Sequence, residues 1–460
     1  MFELKQELVA DLETPVSAFL KLRPLNPLFL LESVEGGEAL GRYSFIGLNP
    51  MLRLEMQLGG IIWWELGIRR RASGHPWELL RETLARLSSP PTRADLPRFS
   101  GGLVGFVGYD AVRFMERLPE TARPVMPFPL AAFYLPAVIL AFDHVRRTVS
   151  IIGAKSQLGV DETVEQVHRL LSRPIHELPS APSTRPRANQ TAEQFVERVM
   201  RAKEYIAAGD IFQVVLSIRF EGETQAHPFQ VYRALRMINP SPYMYYLDFG
   251  SHQIVGSSPE MLVRLENGQA MVRPIAGTRP RGADQQEDDQ RARDLLADEK
   301  ERAEHLMLVD LARNDLGRVA QPGTVTVPVY ASVERYSHVM HLVSSVECRV
   351  APQIDMIDLF QAVFPAGTVT GAPKIRAMQI IEELEGEQRG PYAGCVGYFG
   401  LNGNMDHAIT LRTTFFAGGR YYIQAGAGIV ADSVPQREYH EIHSKAQAMF
   451  RALEMAGGKL

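Results

Sequence analysis

The sequence predicts a mixed α+β fold with much antiparallel sheet. The stretch from Phe29 through Gly153 is rich in strand-like segments and has few charged catalytic candidates. The second part of the chain mixes helical and strand patterns, without the regular strand–helix alternation of a doubly wound parallel sheet. No repeat of solenoid period is present.

A segment rich in Pro and Ser divides the chain. Residues 173–190, "RPIHELPSAPSTRPRANQ", lack a sustained hydrophobic period, which is typical of a linker. They separate an N-terminal lobe, residues 1–172, from a larger domain, residues 191–460. A chain of 460 residues is long enough for two such units.

Individual elements follow from local patterns. The run "LAAFYLPAVILAF" is interrupted by Pro136 and is too short to span a bilayer, so it predicts a buried strand. Thr191 and Gln194 form a capping box that opens a helix, Gly209 ends it, and "IFQVVLSIRF" follows as a strand. Further predicted elements are helices at Glu299–Asp315 and Lys374–Glu385 and a strand at Tyr421–Ala425.

Composition excludes several classes of protein. The net charge is −4, which gives no general attraction to nucleic acid. The first residues, "MFELKQELVADLETP", carry charges where a signal peptide needs an apolar run. Cys348 and Cys395 are the only cysteines, too few for a disulfide framework. We therefore expect a cytoplasmic protein with neither a membrane nor a nucleic-acid partner.

Two helical segments present carboxylates beside apolar stripes. Glu304 and Asp315 share a face with two leucines, and Glu438, Glu441 and Lys445 share a face of the last predicted helix. Carboxylates without a His or Cys cage suit Mg²⁺. From these segments alone, a helix end reaching solvent and an exposed Glu441–Lys445 pair are the commoner alternatives.

Three glycine-rich segments offer backbone N–H groups to an anion: "PIAGTRPRG", "FPAGTVTGAPKIRAM" and "QAGAGIVADSVP". With Arg412 in "ITLRT" they indicate a site for a carboxylated ligand. A dinucleotide site at "GAGIVA" is excluded, because Pro435 interrupts the crossover helix that such a unit needs. From residue types alone, a histidine such as His341 is more often a satisfied core residue than a base, and for Glu260 a structural acid is equally ordinary.

The motifs together resemble the chorismate-utilising enzymes, and among them the large subunits of anthranilate synthase. The resemblance covers nearly the whole chain, from "ADLETPVSAFLKL" and "LLES" through "NPSPYMYYL", "GSSPE", "PIAGTRPRG" and "EKERAEHLMLVDLARNDLGRV" to "SHVMHLVSSV", "FPAGTVTGAPKIRAMQIIEELE", "YAGCVGYFG" and "QAGAGIVADSVPQREY". It implies a large mixed, mainly antiparallel β-sheet sandwich with surrounding helices.

The resemblance also implies residue roles. Glu304 and Glu441 would bind Mg²⁺, with Glu438 as a nearby outer ligand. Glu260 would protonate the departing hydroxyl of chorismate, and His341, with Thr368 nearby, would serve the elimination of pyruvate. The implied substrate-binding residues are Gln213, Gly277, Thr278, Tyr392, Arg412, Gly426, Ala427, Gly428 and Lys445.

Two positions separate this chain from its relatives. Aminodeoxychorismate synthases often have a nucleophilic lysine where this chain has Ala276, and isochorismate synthases have a basic lysine where it has Gln213. The resemblance therefore implies that ammonia attacks and that anthranilate and pyruvate are formed. Neither cysteine lies in a nucleophile setting, so a separate glutaminase subunit is implied, in a heterotetramer of two large and two small subunits. An aminodeoxychorismate synthase large subunit remains the alternative, followed by an inactive relative that only binds tryptophan or a partner.

"LLES" and "NPSPYMYY" resemble a feedback site for tryptophan. The residues implied around the inhibitor are Ser33, Pro242, Tyr243 and Met244. An edge strand and a turn would explain the same letters without a ligand.

Overall fold

The computed structural model describes residues 2–33, 41–65, 68–88, 96–155, 157–336 and 339–458. The helices are α1 (Pro15–Lys21), α2 (Pro76–Leu87), α3 (Val160–Leu171), α4 (Ala192–Ala207), α5 (Pro228–Ile238), α6 (Gln285–Ala297), α7 (Glu299–Gly317), α8 (Met356–Val363), α9 (Lys374–Glu385) and α10 (Pro435–Ala456). Short 3₁₀ turns lie at Arg23–Leu25, Tyr109–Phe114 and Gly367–Val369.

The strands before residue 250 are β1 (Phe2–Val9), β2 (Phe29–Glu32), β3 (Tyr43–Gln57), β4 (Gly60–Glu65), β5 (Ile68–Ser73), β6 (Gly102–Val107), β7 (Ala131–Asp143), β8 (Thr148–Ala154), β9 (Arg187–Ala188), β10 (Gln213–Glu223) and β11 (Tyr243–Asp248). The later strands are β12 (His252–Ser258), β13 (Met261–Glu266), β14 (Gln269–Val272), β15 (Ile275–Pro280), β16 (Thr326–Arg335), β17 (Val339–Arg349), β18 (Gly371–Ala372), β19 (Cys395–Gly400), β20 (Met405–Ile409), β21 (Thr413–Ala417) and β22 (Arg420–Ile429).

Two runs of paired strands start from the long strands β3 and β7, which pair with each other. The first run continues from β3 through β2, β11, β12, β21 and β22 to β10. The second continues from β7 through β6, β19, β20, β13 and β14 to β17. All of these ladders are antiparallel, so the predicted fold class is confirmed.

Strands on the two sides of residues 173–190 pair directly. β2 pairs with β11, and β6 pairs with β19. β2 has a neighbour on each side, so it is an interior strand and not the edge strand considered above. Within 173–190 the one strand is β9, two residues that pair with β10. The division into lobes at this segment stays a prediction.

Local sequence signals placed several elements correctly. Thr191 caps α4, and Gln194 closes the capping box as predicted. Helix α9 has the predicted bounds, and α7 runs two residues beyond Asp315 because Leu316 packs into the core. The run around Pro136 is the fully buried strand β7. Among the described helices, none is both long enough and apolar enough to cross a membrane.

Candidate active site

Glu260 and Arg412 lie where the chain crosses between the two runs of strands. Glu260 joins β12 to β13, and Arg412 joins β20 to β21. The two crossings are hydrogen-bonded to each other, since Ile409 N–H donates to the Glu260 carbonyl at 3.0 Å. Ser257 N–H likewise donates to the Arg412 carbonyl at 3.2 Å. The fold therefore brings a glutamate and an arginine that are distant in sequence into one region.

The Glu260 side chain is buried, and burial raises the pKa of its carboxyl to about 8. Two groups oppose that shift: the Thr368 hydroxyl and the positive charge of Lys445. The Thr368 hydroxyl is itself buried and lies close enough to the Glu260 carboxyl to lower its pKa, although no hydrogen bond of standard geometry joins it to a described residue. It lines the same cavity as Glu260. A carboxyl in this state is protonated near neutral pH and can donate a proton.

His341 is buried on β17 opposite Thr278 on β15. Its Nδ1 lies 2.9 Å from the Gly277 carbonyl oxygen and 3.1 Å from the Thr278 hydroxyl. Gly277 is the extra residue of a β-bulge and has φ 63°, a conformation that favours glycine. Burial lowers the pKa of the His341 imidazole, so its neutral form is favoured.

Arg412 carries a positive charge that the protein does not neutralise. The residue has φ 48°, and burial lowers the pKa of its guanidinium. No carboxylate of the described residues forms an ion pair with it, and its positive charge adds to the effect of burial in lowering the pKa of the His341 imidazole. A desolvated cation without a counter-ion favours binding of an anionic ligand group.

The carboxylates predicted to bind Mg²⁺ come from α7 and α10. Burial raises the pKa of Glu304 and of Glu438, and both carboxylates lie in the field of the same two cations, Lys300 and Lys445. Gln213 Nε2 donates to Glu304 Oε1 at 3.3 Å. Glu441 pairs instead with Lys445 at 2.7 Å, with both side chains about half exposed. The exposed pair considered from the sequence is therefore present.

This donor set fits Mg²⁺ rather than a metal that needs a complete protein cage. Glu304 and Glu438 are oxygen donors whose pKa values are raised by burial, so each carboxylate would be stabilised by a bound cation. Among the described residues, no three His, Cys, Asp or Glu side chains are grouped closely enough to hold an ion alone. Mg²⁺ commonly takes one or two carboxylates and completes its shell with water and substrate oxygens.

The glycines of β22 make room for two of the predicted substrate-binding side chains. A Cβ on Gly426 would lie 2.7 Å from the Tyr392 hydroxyl, and a Cβ on Gly428 would lie 2.5 Å from Gln213 Nε2. The two glycines share a face because they are two residues apart in a strand. Ala427 lies between them, is fully buried and pairs with Leu216. Lys445 Nζ donates to the Gly426 carbonyl at 3.0 Å, which ties α10 to this strand.

A second cavity contains the four residues predicted to bind tryptophan. It is lined by all four of them: Ser33, Pro242, Tyr243 and Met244. They meet because β2 pairs with β11, with Glu32 directly opposite Met244. Further polar groups also line it. Asp406 accepts from the Tyr243 hydroxyl at 3.1 Å, and Arg98, Glu32 and Asp406 are wall residues. Glu32 belongs to the "LLES" motif, whereas Arg98 and Asp406 come from segments distant in sequence, so no local signal indicated these two.

Neither cysteine is poised as a nucleophile. Burial raises the pKa of the Cys348 thiol to about 11, and it raises the pKa of the Cys395 thiol further above its ordinary value. A thiol in this state carries little thiolate near neutral pH.

Comparison with known proteins decides the family. The profile of a family described as chorismate binding enzyme matches residues 27–451. The chain belongs to the chorismate binding enzyme family. Anthranilate synthase component 1 of Thermus thermophilus is 47% identical over 458 residues, covering 98% of each chain. The corresponding protein of Acetivibrio thermocellus is 46% identical and covers 98% of this chain and 95% of its own.

Solved structures agree with this assignment. The crystal structure of anthranilate synthase component I from Streptococcus pneumoniae superposes with a TM-score of 0.82 at 36% identity, covering 97% of this chain and 100% of that one. The menaquinone-specific isochorismate synthase of Escherichia coli shares the fold, with a TM-score of 0.74 at 21% identity and coverage of 98% and 95%.

In this chorismate binding enzyme Ala276 is the residue at which a lysine is expected in aminodeoxychorismate synthases. Ala276 is buried on β15, opposite Leu342 on β17 and next to the Gly277 bulge. At this position, directly opposite the residue that follows His341 on β17, the chain presents a methyl group. The chain therefore carries no amine at this position.

Proposed function

We propose that this protein is the large component of anthranilate synthase, a Mg²⁺-dependent carbon–oxygen lyase of tryptophan biosynthesis. It would convert chorismate and ammonia to anthranilate, pyruvate and water. The observation that carries the proposal is the Glu260 carboxyl, whose pKa of about 8 suits a general acid at neutral pH. Full-length similarity to anthranilate synthase component 1 proteins supports the choice of reaction.

In the first step Glu260 donates its proton to the hydroxyl at carbon 4 of chorismate, which leaves as water while ammonia forms a C–N bond at carbon 2. The two double bonds of the ring shift from carbon 2 towards carbon 4. The electron pair that ammonia brings to carbon 2 therefore compensates for the pair that leaves carbon 4 with the water. The Thr368 hydroxyl, which lies near the Glu260 carboxyl and lowers its pKa, would orient Glu260. General acid catalysis of this kind supplies about 10²- to 10⁴-fold.

In the second step His341 removes the proton at carbon 2 while the bond between carbon 3 and the enolpyruvyl oxygen breaks, which makes the ring aromatic. The released enolpyruvate takes up a proton to become pyruvate. The contact between His341 Nδ1 and the Gly277 carbonyl requires the proton of the neutral ring to be on Nδ1, because a carbonyl oxygen can only accept. Nε2 then carries the lone pair that takes the substrate proton.

The carboxylates of the substrate are held by cations. Arg412, which lacks a protein counter-ion among the described side chains, would bind one carboxylate in a bidentate contact. Glu304 and Glu441, with Glu438 beside them, would hold Mg²⁺, which supplies charge neutralisation for the ring carboxylate. For Glu441 to take this role, its ion pair with Lys445 has to open.

Ammonia would come from glutamine, hydrolysed by a separate glutaminase subunit in a heterotetramer of two large and two small chains. The burial and raised thiol pKa values of Cys348 and Cys395 support a nucleophile on another chain. Tryptophan would inhibit by binding the cavity lined by Ser33 and Tyr243. A cytoplasmic location fits the two free cysteines.

Product analysis tests the proposal. Purified protein with chorismate, Mg²⁺ and ammonium should release pyruvate and fluorescent anthranilate in equal amounts. Accumulation of the 4-amino isomer would instead establish the aminodeoxychorismate alternative, which the Ala276 methyl group disfavours. Absence of any Mg²⁺-dependent chorismate turnover would establish an inactive relative.

A further inference from the structure

Arg389 is a fully buried cation that the proposed reaction does not use. It follows α9, and only 1% of its surface is exposed. Its Nη1 donates to the Val369 carbonyl at 2.8 Å, and its Nη2 donates to the Val215 carbonyl at 2.7 Å. Its Nε and Nη2 also donate to the two carboxylate oxygens of Glu385, each at 2.8 Å. Four of the five N–H groups of the guanidinium are therefore engaged.

The carbonyls that Arg389 holds belong to two parts of the candidate active site. Val369 ends the 3₁₀ turn Gly367–Val369, which presents Thr368 to Glu260. Val215 lies on β10, two residues after Gln213, and its N–H donates to Thr370 at 2.9 Å. The guanidinium thus spans the gap between this turn and β10.

Glu385 extends the same connection to β22, the strand that contains Gly426 and Gly428. Its Oε1 accepts from the Ser217 N–H at 2.8 Å and from the Ser217 hydroxyl at 2.7 Å. Ser217 pairs with Gly426 on β22. The guanidinium carbon of Arg389 also lies 5.7 Å from the ring centroid of Tyr392, whose hydroxyl occupies the space in front of Gly426.

A buried ion pair is a weak source of stability, because desolvation of the two charges offsets their attraction. An apolar pair of similar volume often stabilises a fold equally well. Stability therefore does not explain why a guanidinium with four donated bonds lies here. Geometry does, because a planar fork fixes the direction of each acceptor, whereas a methyl or an ammonium group cannot.

We propose that Arg389, held by Glu385, is a positioning residue that sets the Thr368 turn and Tyr392 against β10 for catalysis. The inference rests on the proposed function, in which Thr368 orients Glu260, and on the substrate-binding roles that the resemblance implies for Tyr392 and Gln213. Arg389 itself contacts no substrate atom. Its removal should misalign these groups without unfolding the protein.

The experiment compares three variants with the unmutated protein in the ammonia-dependent reaction. Arg389→Lys keeps the charge but loses the fork. Arg389→Met with Glu385→Leu replaces the pair by apolar side chains of similar size and leaves no unpaired charge. Arg219→Met is the matched control, because Arg219 on β10 is likewise a buried arginine that pairs with a glutamate, Glu387, at 2.7 Å. The measurements are kcat, the KM for chorismate and the melting temperature.

We expect Arg389→Lys and the double variant to lower kcat/KM by about 100-fold, the size of effect that small misplacements of reacting groups produce. The loss should appear in both although their melting temperatures differ, and Arg219→Met should keep its activity. Full activity in Arg389→Lys, or losses that follow melting temperature across all variants, would overturn the inference. If the unmutated protein makes no anthranilate, it is the proposed function that fails.

Discussion

His341 Nδ1 lies 2.9 Å from the carbonyl oxygen of Gly277, on the neighbouring strand. The contact exists because Gly277 forms a bulge that turns its carbonyl toward the imidazole. It fixes the tautomer of the neutral ring, leaving Nε2 as the basic atom. Burial also lowers the imidazole pKa, so the neutral base is the prevailing form near neutral pH.

We expect His341→Met to separate the two steps. Methionine fills a similar volume but cannot accept a proton, so ammonia should add while pyruvate loss slows by about 10²- to 10⁴-fold. An amino-substituted intermediate that still bears the enolpyruvyl group should accumulate and be visible by chromatography. If chorismate consumption itself stops, His341 serves binding or structure instead.

Glu260 should set the alkaline limit of activity. The general acid must be protonated, and its pKa is raised to about 8, so kcat/KM should fall tenfold per pH unit above that value. Glu260→Gln should lose at least about 100-fold in rate at neutral pH, since an amide cannot give up a proton. A rate profile that stays flat to about pH 10 would remove Glu260 from this role.

The same carboxyl should make the fold less stable as pH rises. Its folded pKa of about 8 exceeds the ordinary value of 4.5, so the folded state binds the extra proton between these values. The stabilisation is full below the lower value and is lost as pH rises through the upper one. Glu260→Gln should abolish this loss of up to about 1.4 kcal/mol per pH unit. Chemical denaturation of both proteins at about pH 5 and pH 8 measures the difference.

The sequence indicated those elements whose signals are local. The capping box at Thr191 and Gln194 defined the start of α4, and the apolar stripe defined α10. The register of the strands was not accessible, because it depends on which segments pair across the whole chain. The pairing of β2 with β11, which brings Ser33 to Tyr243, is of this kind.

The residues of the candidate site divide in the same way, into those that local motifs indicate and those that only the fold reveals. Resemblance of motifs indicated Glu260, His341 and Arg412, but the crossings that bring Glu260 and Arg412 together are visible only in the fold. Arg389 was missed because a lone arginine after a helix is usually exposed, and only its four acceptors distinguish it.

Loss of either predicted metal ligand should abolish activity with ammonia and with glutamine. In Glu304→Gln and Glu441→Gln a neutral amide replaces the charge that faces Mg²⁺, which weakens metal binding. The fold should survive, because Glu441 is half exposed and Glu304 has a raised pKa from burial. Glu299→Gln, on the exposed first turn of α7, is the control. Normal turnover by both variants at limiting Mg²⁺ would contradict the assignment.

Ser33→Leu should keep catalysis and raise the tryptophan concentration needed for inhibition. Ser33 lines the cavity with Pro242, Tyr243 and Met244, and none of these four residues lines the cavity of Glu260. The Tyr243 hydroxyl is already engaged by Asp406 and Arg264, at 3.1 Å and 3.2 Å, so its ring is held in place as a wall for an indole. A leucine side chain at Ser33 would occupy ligand space and remove a hydroxyl.

Feedback through this cavity requires tryptophan to bind a low-activity arrangement more tightly than the active one, and a tenfold shift needs about 1.4 kcal/mol of differential affinity. The initial rate of anthranilate formation should therefore respond to tryptophan in the unmutated protein and respond at least about tenfold less sensitively in Ser33→Leu. Ser251→Leu, in the exposed turn after β11, should leave the response unchanged. Complete insensitivity of the unmutated protein would exclude regulation by tryptophan and favour the aminodeoxychorismate alternative.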